Sequence, residues 1–100
     1  METQRRLVRA LETSVVRGPG TLAAPVREAA AVQAVDQLPA EARAYADKVV
    51  RHAYKVVDRD VAELRGHGWS EDQIFELTVA LAVGAGLRRL DAAARALGDD

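Results

Sequence analysis

The stretch Trp69–Leu97 reads WSEDQIFELTVALAVGAGLRRLDAAARAL, and its reading decides the fold. Ser70 suits an N-cap, where its hydroxyl accepts from an otherwise unpaired backbone N–H of the first turn. Gln73, three residues on, can return the bond to the cap's own N–H and complete a capping box. Trp69 and Ile74 are spaced as a hydrophobic staple. Glu71 and Asp72 place negative charge at the positive end of the helix dipole, and Arg88, Arg89 and Arg95 sit towards the negative end. Gly98 follows Leu97 as a residue just past a helix C-terminus should.

Between Ile74 and Leu87 only Glu76 and Thr78 are distinctly polar. One apolar stripe runs Ile74, Leu77, Leu81, Ala85. A second runs Phe75, Val79, Ala82, Gly86, Leu90, Ala93, Leu97. Both follow helical steps of three and four, so they lie on different faces of one helix. A helix apolar on more than one face is buried on more than one side. Gly84 and Gly86 each cost about 1 kcal/mol in a helix interior relative to alanine. Close approach by a neighbouring helix, from this chain or another subunit, would compensate. The expectation is a continuous helix across both, the alternative being a local break at Val83–Gly86, with Phe75, Val79, Ala82, Gly86 and Leu90 forming an interface.

The composition points the same way. One hundred residues make one domain, and the whole chain, 1–100, is read as a single helical unit. Alanine is roughly a fifth of it, well above ordinary usage. Alanine favours helix but buries little area, so association with further subunits would supply burial that the chain lacks. The formal net charge is −1 with acids and bases interspersed. That argues against nucleic acid as a partner, since such domains carry a strongly basic face. Arg5, Arg6, Arg9 and Arg17 cluster, but with Glu2 and Glu12 beside them they read as a solvated helix face. The chain has no cysteine. Disulfides, thiolate metal sites and thiol-based peroxidase chemistry are therefore excluded. No cofactor is implied. An apolar leader of sufficient length is missing from the N-terminus, and the longest apolar run, Leu77–Leu87, is too short to span a bilayer. A cytoplasmic location without membrane association is the expectation.

Five helical segments fit an all-α fold. The first covers about Thr3–Val16 and ends at Arg17-Gly18-Pro19-Gly20. The second starts at Thr21 as N-cap, with Pro25 in its first turn, and runs to about Val35. Pro39 opens the third, with Glu41 at its favourable dipole end, and this helix reaches about Lys55. Its buried stripe reads Ala42, Ala46, Val49, Ala53, Val56, flanked by Tyr45 and Val50, with Asp47 and Arg51 paired outside. Asp58 caps a short fourth helix carrying Val61 and Leu64 and ended by Gly66-His67-Gly68. The long helix is the fifth. Apolar–polar alternation of the strand kind does not persist anywhere outside a helical context.

From about Ala44 to Leu97 the chain resembles the carboxymuconolactone decarboxylase / alkylhydroperoxidase D superfamily. The residues that carry the likeness are VDRDVAELRGHGWSEDQIFELTVALAVGAGLRRLDA: a helix ending at Gly68, a start at Ser70-Glu71-Asp72-Gln73-Ile74, then a long alanine-rich helix with Leu90. The resemblance implies an all-helical subunit that assembles as a trimer or hexamer with the long helix in the interface. Redox members carry Cys-x-x-Cys-x-x-x-His in the helix leading to the glycine. Here Ala53, Val56 and Asp60 stand in those places, so peroxidase activity does not carry over. The decarboxylase branch works without cysteines.

Within this reading a few residues are candidates for chemistry. Histidine is the side chain suited to acid–base work near neutral pH, and His52 sits beside the inward stripe of the third helix, with Tyr45 and Tyr54 nearby. It is the candidate acid–base group of a cofactor-free decarboxylase or isomerase, the alternative to a non-redox assembly or small-ligand-binding module. Glu76 is the isolated acid of the long helix. The resemblance allows it or Glu71 to face a pocket, while the plainer reading sends it to solvent or to an arginine. Buried without a cation, it would have a raised pKa. Arg88 and Arg89 could hold an anionic small molecule bidentately, or cover a helix end. His67, between two glycines, suits a capping role at its helix terminus. His52 and His67 lack the spacing of a helical metal pair, so no metal site is read.

Overall fold

The computed structural model describes residues 20–98, and these are all-helical. Four α-helices follow in order: α1 Ala24–Ala31, α2 Ala40–His52, α3 Asp58–Gly66 and α4 Glu71–Ala96. Short 3-10 turns, Val35–Gln37 and Ala53–Lys55, follow α1 and α2. The expected helix over Thr3–Val16 and the arginines at 5, 6, 9 and 17 lie outside the described residues.

The long helix starts as its sequence dictates. Gln73 N donates to Ser70 Oγ at 3.1 Å, and Ser70 N donates to Gln73 Oε1 at 2.9 Å. It then runs unbroken through Gly84 and Gly86. Gly98, at φ +75°, takes the left-handed turn just beyond its C-cap, Leu97. Ile74, Leu77, Ala80, Leu81 and Gly84 are buried along one side. The first apolar stripe is therefore the core face. The second is not covered within the described chain.

Helix α1 lies along α4 and points the same way: the chain entering it meets Glu76, and its end meets Gly84 and Arg88. A Cβ on Gly84 would lie 2.8 Å from the carbonyl carbon of Ala31 and 3.1 Å from its Cα. Here the glycine is required by backbone contact. Gly86 has nothing within 4 Å of the corresponding position, so the chain's own packing does not call for it.

The limits of α1 differ from those expected. It begins at Ala24, with Ala23 as N-cap and no side-chain cap, and Thr21 lies before it, bonded to Glu76. It ends at Ala31 because Gln33 adopts φ 59°. Gln33 N then donates to Ala30 O at 3.0 Å and Ala34 N to Ala29 O at 2.9 Å, which closes the helix in a Schellman turn.

Helix α2 follows N-cap Pro39 and buries Ala42, Tyr45 and Ala46. Val49 and Val50 are half-buried. It stops at His52 rather than Lys55. The backbone of His52, at φ −143° and ψ 55°, leaves the helical path, and Ala53 is exposed instead of continuing the buried stripe. The outer pair forms as expected, with Arg51 Nε 2.8 Å from Asp47 Oδ1.

Asp58 does not cap α3; it is the first helical residue, and Val57 is the N-cap. Asp60 supplies the cap instead. Its carboxylate accepts from Val57 N at 2.8 Å and from Lys48 Nζ of α2 at 2.9 Å. Both bonds favour the ionised form, and the backbone one leads in holding its pKa below the ordinary 3.8. Gly68, at φ +93°, ends α3, and Trp69 N donates back to Leu64 O at 3.1 Å. Trp69 Nε1 reaches Glu41 Oε2 at 3.1 Å, which ties the α3–α4 corner to the start of α2. The core within this frame is Leu38, Leu64, Leu77 and Leu81, with Ala30, Ala42, Ala46 and Ala80 fully buried around them.

Candidate functional site

Glu76 is half-buried and reaches into the segment that leads to α1. Its carboxylate accepts from Thr21 Oγ1 at 2.5 Å, Thr21 N at 2.8 Å and Leu22 N at 3.2 Å. Thr21's hydroxyl is the largest influence holding its pKa below the ordinary 4.5. The backbone N–H groups of Thr21 and Leu22 and the nearby Arg27 act in the same direction, against the effect of burial. The rise foreseen for a carboxylate buried without a cation does not arise, because donors and a cation are present. Arg27 is itself buried within the alanine-rich α1. Sequence reading missed it, although a charged residue on the buried side of a helix usually answers an opposite charge.

Arg88 is exposed, and Nη2 donates to the carbonyl of Val32, the C-cap of α1. A guanidinium there satisfies an orphan carbonyl and complements the helix dipole. Two residues singled out for chemistry therefore hold the two ends of one short helix, an acid at its N-terminal end and a base at its C-terminal end. Arg89, the next residue, is exposed.

Tyr45 is buried on α2. Thr78 Oγ1 donates to Ile74 O at 2.7 Å and lies 2.6 Å from Tyr45 Oη, so the tyrosine hydroxyl is the donor between them. This bond joins α2 to α4. The hydroxyl of Thr78 within an apolar run was its visible signal, since a buried polar group needs a partner.

His52 is exposed rather than beside an inward face, and its ring stands edge-on to Tyr54 with centroids 6.0 Å apart. Tyr54 is 79% exposed and carries Lys55 Nζ over its ring at 5.8 Å. The structure thus gives His52, Tyr45, Glu76 and Arg88 separate partners and does not gather them around one space. His67 is the C-cap of α3, exposed at that helix end as a capping residue would be. Among the described residues no group of three or more histidine, cysteine, aspartate or glutamate side chains could hold a metal ion. No helix of the described chain is long and apolar enough to cross a membrane.

The most extensive feature left is the outer face of α4. Phe75 is 68% exposed and Leu90 42%. Ala82, Gly86 and Ala93 are exposed between and beyond them, and Val79 is half-buried. Asp72 and Arg89, both exposed, stand towards opposite ends of this face. No protein-family model, curated protein or solved structure matches the chain.

Proposed function

We propose that this chain is a cysteine-free, non-redox assembly module, built on a plan similar to the alkylhydroperoxidase D superfamily, whose subunits join through the outer face of α4. The observation that carries this reading is the row of exposed Phe75, Ala82, Gly86 and Leu90, with half-buried Val79 among them, on a helix whose opposite side is core. Exposed aromatic and aliphatic side chains aligned in this way mark an interaction surface. Among the described residues the core is alanine-rich, with four leucines as the largest fully buried side chains, and so thin a core favours further apolar burial by association. The superfamily likeness makes a trimer or hexamer the expected assembly, with room for a small molecule where subunits meet.

Native mass spectrometry and sedimentation at high micromolar concentration test this. The expected result is a defined assembly of the wild-type chain that Phe75→Asp dissociates into folded monomers. Wild-type protein that stays monomeric throughout overturns the reading.

A further inference from the structure

Resting on the proposal that α4 carries the subunit contact, we infer that the contact is a two-fold, antiparallel pairing of α4 with α4 of a second copy. Three observations support that occupant and that direction. The face is asymmetric in charge along its length, with exposed Asp72 at one end and exposed Arg89 towards the other. Parallel copies would set acid against acid and arginine against arginine. Antiparallel copies set each acidic end by its partner's basic end, and the helix dipoles oppose favourably.

The row is also spaced for such a pairing. An axis passing between Ala82 and Val83 relates Phe75 to Leu90 of the second copy and Val79 to Gly86. The largest exposed side chain then lies against the aliphatic residue at the far end, and the small residues fall together at the crossing. Gly86 supports this independently. Glycine is disfavoured in a helix interior, and a side chain there would meet nothing of its own chain within 4 Å. A second helix passing beside Gly86, one turn from the crossing, would use the room that the glycine leaves.

A two-fold contact is self-complementary and closes in pairs. The assembly then contains an even number of chains, a dimer or three pairs making a hexamer, and not a trimer with only three-fold contacts.

The lack of native cysteine makes the test clean. Ala82→Cys, Phe75→Cys and Leu90→Cys are made singly in the full chain and treated with a short bifunctional maleimide. Antiparallel pairing predicts that Ala82→Cys cross-links to its own copy. Phe75→Cys alone and Leu90→Cys alone remain single chains, because like positions would lie about 22 Å apart along the axis at a rise of about 1.5 Å per residue. Mixing those two variants restores the cross-linked pair. Self-cross-linking at all three positions, or a trimer in native mass spectrometry, overturns the antiparallel pairing and leaves the assembly proposal standing. Absence of cross-links together with a monomeric wild type overturns both.

Discussion

Glu76 on α4 and Thr21, fifty-five residues earlier, share two hydrogen bonds, one to the backbone N–H and one to the hydroxyl. A third, from Leu22 N, completes a clamp from another helix on the two residues that lead into α1, ahead of its N-cap Ala23. The lead-in to α1, which has no side-chain cap of its own, is thus anchored by the acid that stands out in the apolar half of α4.

Removing that acid should loosen α1 before anything else. Glu76→Ala is expected to cost about 1–2 kcal/mol, the order for losing charge-assisted hydrogen bonds to a partly exposed segment. Urea unfolding measures the loss. Amide exchange at Leu22 should accelerate more than exchange at Leu64 or Leu81. Equal acceleration everywhere would mean that Glu76 does not act on α1.

Acid should act through the same group. The pKa of Glu76 is lowered in the folded chain, as are those of Asp60 and Glu41, whose largest causes are backbone hydrogen bonds. The unfolded chain therefore binds more protons between the folded and ordinary values. Stability from these groups is fully present above the ordinary pKa values, 4.5 for Glu76 and Glu41 and 3.8 for Asp60. It is lost as pH falls through the lower folded values. Thermal melting from pH 7 down to pH about 2 should show this decline, and Glu76→Gln should flatten it. An unchanged slope in the variant would contradict the assignment.

The two glycines of α4 should respond with opposite signs. Gly84→Ala drives a methyl group into the backbone of Ala31, an overpacking expected to cost about 1–3 kcal/mol. Gly86→Ala should instead add about 1 kcal/mol to the isolated subunit by helix propensity. The same change should weaken association if a second helix crosses there. Melting of the two variants, with sedimentation of the second, checks both signs.

Gln33 holds a left-handed backbone, with φ 59°, at the close of α1. Relief of the side-chain penalty there, about 1–2 kcal/mol, exceeds the added unfolded-chain entropy of glycine, about 0.5–1 kcal/mol. Gln33→Gly is expected to stabilise by roughly 0.5 kcal/mol, a small rise in melting temperature.

Long-range contacts separate what was legible in the sequence from what was not. The α4 start was legible because Ser70, Glu71, Asp72 and Gln73 act within one turn, and the core stripe because its period is regular. The limits of α1 were not, because Glu76 takes Thr21 and Gln33 turns without a glycine to announce it. The end of α2 was obscured in the same way, since no proline or glycine marks the backbone break at His52. The α3 cap was expected at Asp58 and falls at Val57, with Asp60 bonding back to it, because Asp58 and Asp60 are both acids and only the fold puts Lys48 beside the second. For the candidate site, Phe75 through Leu90 could be read as a face, whereas the engagements of Glu76 and Arg88 required knowing that α1 lies between them.

That last arrangement bears on the order in which the chain acquires structure. Eight residues of helix, half of them alanine, are too short to persist alone, since isolated helices below about 12–15 residues are marginal in water. During synthesis the segment of α1 is made before Glu76 and Arg88 have been added. It has neither of its end clamps until α4 emerges. The N-terminal half of the described bundle must therefore wait for the C-terminal half, and a chain truncated before Arg88 should present an unformed segment where the complete chain has a docked helix.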